Sequence, residues 1–356
     1  MEDDSSMMSV TYCVTGASGF IGSWLVKSLL HGGHKVHATV RDPAKSLHLQ
    51  SLGKSHGDRL RIFQADLLEE GSFDEAVEGC DGVFHVAALM HFNVPEDGED
   101  SVESNILEPA VRGTLNLLRG CLRSKKSVRR VVFTSSISTV TAKDSEGKWR
   151  ALVDENCQTP IQHVWENKAS GWVYVLSKIL SEEAAFKFAR ANGINMVSVI
   201  APTVAGPFLT STVPSSIQVL LSPITGDIEY FKILSAVKSR MGSIALAHTE
   251  DICRSHIFLM EQPNAHGRYL CCAQSCTLSE LVEILAKVYP LTRLGVEKEE
   301  NGSVPCEISS NKLKDLGFKY KFGADDIVNE TVSSCLDCGF LPPLQRNDDW
   351  KLCLRE

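Results

Sequence analysis

No stretch of the chain approaches the roughly 18 consecutive apolar residues that a membrane span needs, so the sequence predicts no transmembrane helix. An excess of positive charge is missing too: 36 Lys and Arg stand against 44 Asp and Glu in 356 residues, a net charge of −8. That balance argues against nucleic acid or an anionic membrane as a partner, because both are held by a basic surface. A small-molecule substrate is expected instead. The opening residues MEDDSSMMS carry acids and lack the basic or acid-poor character of secretory and organelle signals, so residues 1–8 read as a disordered tail on a cytoplasmic protein. Internal repeats and low-complexity blocks are absent.

Twelve cysteines are present, but Cys335/Cys338 is a C-x-x-C with no second pair to complete a zinc site, and no metal is expected. Cys13, Cys80, Cys121, Cys157 and Cys253 read as packed, reduced thiols, and Cys271, Cys272 and Cys276 form a denser set without a matching chemistry. His31, His34, His37 and His85 lie on or beside predicted elements and read as surface or satisfied core residues.

What the chain does have is 43% hydrophobic residues, enough for a substantial core, arranged in a readable alternation. Short β-rich runs at 10–14, 35–40, 60–64, 82–86 and 129–134 alternate with helical patterns at 20–30, 73–79 and 102–123. A further helix over 172–191 leads into the run 195–200. This is the form of an α/β protein, a Rossmann doubly wound parallel sheet over residues 9–201. Beyond Pro202 the pattern breaks, with Pro207, Pro214 and Pro223, and 202–340 reads as loops and short elements that supply a smaller substrate-binding region. Residues 341–356 read as a poorly ordered tail.

Thr15-Gly16-Ala17-Ser18-Gly19-Phe20-Ile21-Gly22 follows the first strand and opens the first helix. Glycines there allow a tight turn and let backbone N–H groups approach a pyrophosphate at a helix N-terminus. Asp42 stands where an acid can hold a ribose 2′-hydroxyl, yet Arg41 precedes it and Lys45 follows, offering cations to a 2′-phosphate. Pro43 makes Asp42 read as a turn residue, which favours NADPH, while a plain solvated charge is the other account of Arg41. Asp66 either contacts adenine or caps a helix, and small residues at Val86, Ala87 and Ala88 leave room for a flat cofactor.

Tyr174 and Lys178, four residues apart, share one face of a predicted helix. A phenol with pKa ~10 exchanges protons poorly near neutrality unless a fixed cation favours its ionised form, a role open to Lys178. Ser136 closes the fifth strand at the edge where doubly wound sheets bind ligands, and its hydroxyl can hydrogen-bond an oxygen that gains negative charge. Glycine turn, strand-end serine and Y-x-x-x-K together point to a reductase; a protein that merely binds NADPH has no need of the tyrosine and lysine.

These residues resemble the extended short-chain dehydrogenase/reductases. The segments TYCVTGASGFIGSWLVK, RRVVFTSSISTVTA, SKILSEEAAFKFA, GSIALAHTEDICRSHIFL and LGFKYKFG resemble the plant dihydroflavonol reductase and anthocyanidin reductase group, and the stretch from Pro202 to Cys272 is most similar to its anthocyanidin reductases. The resemblance implies Ser136, Tyr174 and Lys178 as catalytic residues. It places Gly16, Ser18, Gly19, Phe20, Ile21, Gly22, Arg41, Lys45, Ala87, Ala88, Tyr174, Lys178 and Pro202 near NADPH, with Asp66 at the adenine. Thr141, together with Ser136 and Tyr174, would face a phenolic substrate. The implied reaction is anthocyanidin to flavan-3-ol, or reduction of a dihydroflavonol or other phenylpropanoid carbonyl. The chain departs from the group at Ala88-Leu89-Met90, at Gln158 and over 160–171.

Overall fold

The computed structural model describes residues 10–90, 98–144, 146–290 and 306–343. The elements run β1 (Thr11–Thr15), α1 (Phe20–His31), β2 (Lys35–Val40), α2 (Leu47–His56), β3 (Leu60–Gln64), α3 (Asp74–Val77), β4 (Gly82–His85), α4 (Glu108–Arg123) and β5 (Arg130–Ser136). They continue through β6 (Leu152–Val153), α5 (Ile161–Asn167), α6 (Trp172–Asn192), β7 (Met196–Ala201), β8 (Thr203–Ala205), α7 (Ser215–Thr225), α8 (Ile228–Met241), β9 (Ile244–His248) and α9 (Thr249–Glu261). Then follow β10 (Gly267–Leu270), β11 (Gln274–Cys276), α10 (Leu278–Val288), β12 (Glu307–Ile308), α11 (Asn311–Asp315) and α12 (Ala324–Asp337). The expected tails at 1–8 and beyond 343 lie outside the described residues.

Among the described residues seven parallel strands form one sheet in the order β10-β7-β5-β4-β1-β2-β3, which reverses direction at β1 and so opens a crevice at the carboxyl ends of β1 and β4. The strands are apolar on both faces because both faces are covered. Tyr12, Val14, Phe84, Val132 and Val197 pack with Leu25 and Leu29 of α1 and Ile252 and Leu259 of α9. Their neighbours Cys13, Val83, Val131, Phe133 and Met196 point the other way, against Leu117 and Leu118 of α4 and Ala185 and Ala189 of α6. No helix among the described residues is long and apolar enough to cross a membrane.

At Pro202 the chain passes from β7 straight into β8 of a second sheet, ordered β11-β9-β8. A second core of Ile217, Leu220, Leu234, Leu246, Leu281 and Ile327 gathers there. The region expected as loops and short elements is in fact largely helical. Two of its three prolines do not break the pattern as read: Pro214 is the N-cap of α7 and Pro223 lies inside α7, whereas Pro207 stands in irregular chain after β8. Pro223 has no N–H for the Val219 carbonyl, and the Ser222 hydroxyl donates to that carbonyl instead at 2.7 Å. The helix read over 102–123 opens with a π-helical turn, Glu103–Leu107, in front of the Pro109 that cannot donate to the preceding turn. Residues 341 and 342, read as part of the tail, are docked: the Leu341 amide donates to the Cys335 carbonyl at 3.0 Å and the Tyr289 hydroxyl to the Pro342 carbonyl at 2.9 Å.

Late in the chain β10 returns to the main sheet and pairs with β7. The connection from α9 to β10 is held by Arg130, 5% exposed, whose guanidinium donates to the carbonyls of Leu259 at 2.6 Å, Pro263 at 3.2 Å and Ala265 at 3.4 Å, and to that of Gln262. Arg130→Met strands these buried acceptors and is expected to destabilise the protein by about 3 kcal/mol. A chemical denaturation midpoint equal to that of the parent would refute this.

Candidate active site

The strand-to-helix turn after β1 is built so tightly that side chains are excluded from it. Gly16 has φ +64°, and a Cβ there would lie 2.8 Å from the Ala87 Cα; a Cβ on Gly22 would lie 2.2 Å from the Gly16 carbonyl oxygen. Gly19 is the N-cap of α1 and offers no capping side chain, so the first amides of the helix, at Phe20, Ile21 and Gly22, have no partner within it. Ser18 is half-buried beside them. This arrangement fits the pyrophosphate of a dinucleotide: donors converge, and no Cβ intervenes.

Thr15, which opens the glycine motif but has no role assigned by sequence, fastens the turn to β4. Its hydroxyl oxygen accepts from the amides of Val86 at 3.1 Å and Ala87 at 3.0 Å and hydrogen-bonds His85 Nδ1 at 3.0 Å. His85 is a buried core residue; burial, followed by the Lys178 charge, pushes its imidazole down to about 3, so it is neutral at pH 7. Leu67, Ala87, Ala88, Leu89, Phe133 and Lys178 line a small cavity between the end of β4 and α6.

At the end of β2, Arg41 is exposed. The Asp42 carboxylate accepts from the Ala44 amide at 3.0 Å and caps the 3₁₀ turn Pro43–Lys45, the turn role that Pro43 implied. Asp66 likewise spends one carboxylate oxygen on the Leu68 amide, at 2.9 Å. Lys45 falls in the capped turn, and its side chain is outside the described set.

Ser136 ends β5, and its oxygen accepts from the Ser138 amide at 3.2 Å while its side chain hydrogen-bonds Tyr174. One turn along α6, Lys178 Nζ donates to the Thr134 carbonyl at 3.2 Å. The three residues picked from separate parts of the sequence thus meet at the carboxyl edge of β5. Burial pushes the Lys178 ammonium down to about 8, opposed by Glu182 another turn on. Burial raises the Tyr174 phenol, opposed by its hydrogen bond with Ser136 and by the charge of Arg240.

Glu182 and Arg240 escaped the sequence reading. Glu182 lies four residues past Lys178, a legible helical spacing, and is buried between the Ser198 hydroxyl and Arg268 Nε, the latter at 3.2 Å. Arg240, at the end of α8, carried no local signal. Thr134 also meets His256 Nε2 at 2.9 Å through its hydroxyl, tying β5 to α9. Thr141 is buried; its hydroxyl is engaged by the backbone, donating to the Arg240 carbonyl at 3.5 Å and accepting from the Lys143 amide at 3.3 Å. Pro202 is buried at the step between the two sheets.

Residues 12–272 match the model of the NAD dependent epimerase/dehydratase family. A Ginkgo biloba protein assigned as an anthocyanidin reductase is 43% identical over 94% of this chain and 96% of its own length. The dihydroflavonol 4-reductase of Dianthus caryophyllus is 42% identical over 93% of this chain and 89% of its own. Vestitone reductase from alfalfa superposes with a TM-score of 0.75 at 32% identity, covering 93% of this chain and 99% of that one. The chain therefore belongs to the NAD dependent epimerase/dehydratase family, and it is an oxidoreductase whose relatives there include plant anthocyanidin and dihydroflavonol reductases.

Proposed function

We propose that this protein is an NADPH-dependent reductase of a flavonoid-type phenolic substrate, with anthocyanidin to flavan-3-ol as its reaction. The observation that carries this reading is the contact of Ser136 with Tyr174 at the carboxyl edge of β5, with Lys178 one helical turn away. NADPH supplies hydride when bound. Gly16, Ser18, Gly19, Phe20, Ile21 and Gly22 would hold its pyrophosphate, Arg41 and Lys45 its 2′-phosphate, and Asp66 its adenine side. Ala87, Ala88 and Pro202 would border its nicotinamide half, and Tyr174 and Lys178 its ribose. The choice of NADPH over NADH rests on exposed Arg41 beside an Asp42 that already spends one carboxylate oxygen on the Ala44 amide.

Ser136 anchors the substrate oxygen, and Thr141 would face the same substrate. Tyr174 delivers the proton, and the Lys178 cation steadies the phenolate left behind. For a flavylium cation the balance is two hydrides and one proton to give a neutral flavan-3-ol; for a ketone it is one of each. The ketone reading stays as the second because the Dianthus relative, a dihydroflavonol 4-reductase, is as similar as the Ginkgo one, at 42% against 43%.

Tyr174→Phe is expected to lower kcat by about 10²–10⁴ while NADPH still binds; undiminished turnover would refute both readings. With NADPH, consumption of cyanidin to a flavan-3-ol supports the first, and turnover confined to dihydroquercetin or a hydroxycinnamoyl thioester moves the function to the second. Arg41→Ala should raise the KM for NADPH about tenfold, equivalent to ~1.4 kcal/mol of binding, and leave that for NADH nearly constant; equal effects on the two would show that Arg41 does not read the 2′-phosphate. Because the Lys178 charge is lost as pH rises through about 8, kcat/KM should fall above that pH. Glu182→Gln removes the carboxylate that favours the charged lysine, so the alkaline limb of the profile should move to lower pH; a limb that stays in place would exclude Lys178 as its origin.

A further inference from the structure

Arg240 occupies the last turn of α8, two residues before Gly242, the left-handed C-cap at φ +73° packed beside Trp149. Its carbonyl accepts from the Ala142 amide at 3.2 Å and from the Thr141 hydroxyl at 3.5 Å, fixing it to the segment that leaves Ser136. Around this junction Val237 and Met241 pack with Ile137, Val140 and Ala142. Among the described residues Tyr174 is the titratable group whose charge bears on the Arg240 guanidinium.

Its surroundings are unusual for a cation. Arg240 Nε is sealed from solvent and meets no acceptor among the described residues, and no carboxylate among them faces the guanidinium. Burial pushes the group down to about 10, which leaves it charged at neutral pH. A last-turn arginine favours the helix dipole, but that interaction gives a sealed Nε no acceptor. Arg240 is half-buried as a residue, and a charge whose sealed Nε lacks an acceptor among the described residues is favoured when a ligand brings an anion to it.

We propose that Arg240 is a substrate-specificity residue of this site: its guanidinium pairs with an ionised phenol oxygen of the substrate and sets the ring against Tyr174. The inference rests on the proposed reduction of a phenolic substrate. A phenol conjugated to an electron-poor carbon or carbonyl is more acidic than an ordinary one with pKa ~10, so such a substrate can arrive as the oxyanion or ionise on contact with the guanidinium. Arginine suits this role better than lysine, since it stays charged when buried and presents several N–H donors in a plane.

The test compares the parent protein with Arg240→Leu and Arg240→Lys, using a flavonoid with a free conjugated phenol and its O-methyl ether as paired substrates. In Arg240→Leu the KM for the free phenol should rise by about tenfold or more and that for the ether by less than about threefold, with Arg240→Lys recovering part of the difference. Equal KM effects on the two substrates, or a loss confined to kcat, would overturn the proposal and leave Arg240 acting through Tyr174 or through packing alone. If the parent protein reduces no flavonoid, the reading of the reaction fails, and the inference is judged by binding. Fluorescence quenching of the NADP⁺-saturated parent should then favour a 4-hydroxyphenyl ketone over its 4-methoxy counterpart, and Arg240→Leu should lose that preference. Indifference of the parent protein to the pair would overturn it.

Discussion

The hydrogen bond from Lys178 Nζ to the Thr134 carbonyl is the contact on which the site depends. It joins the second turn of α6 to the end of β5 before the crevice, and everything reactive is placed relative to it. Tyr174, one helical turn back, is brought against Ser136, two residues along the strand. The Thr134 hydroxyl faces His256 on the opposite layer, so the same short segment of β5 links α6 below with α9 above. A buried ammonium is costly to keep, and Glu182, held by Ser198 and Arg268, lessens that cost.

The glycine turn is a second constraint of a different kind. There the backbone of β1 and β4 approaches so closely that the Gly16 Cα faces Ala87 with no space for a methyl group. The Thr15 hydroxyl spans the gap and takes up two amides that the end of β4 would otherwise leave without partners. The absence of side chains at Gly16 and Gly22, the hydroxyl at Thr15 and the small residues at Ala87 and Ala88 are one solution to a single problem: bringing two strand ends together while keeping helix amides open to a ligand.

What could be read from the sequence was whatever is local. The strands β1 to β5 and β7, the helices α1 and α6, the glycine turn and the tyrosine and lysine four residues apart all declare themselves within a short window, through period and spacing. Asp42 was legible as a turn residue because Pro43 stands next to it. Arg240 was not, because its meaning comes from Tyr174 and Thr141, which are remote in the chain, and neither was Arg130, which acts on carbonyls at and beyond the end of α9. The helices after Pro202 were hidden because a proline inside α7 reads as a breaker until Ser222 is seen replacing the missing donor.

The late return of β10 orders the making of the molecule. Met196–Ala201 of β7 is an apolar strand whose outer row of N–H and C=O groups is covered only by Gly267–Leu270. During synthesis the ribosome must extend the chain through α7, α8, β9 and α9 before that cover exists, and a bare edge of this composition is a template for pairing with other chains. The interval is also when Arg130 lacks the carbonyls that surround it in the finished sheet. The second core is therefore begun while the main sheet is still open at β7, and β10 closes that sheet before β11, α10 and α12 complete the second core.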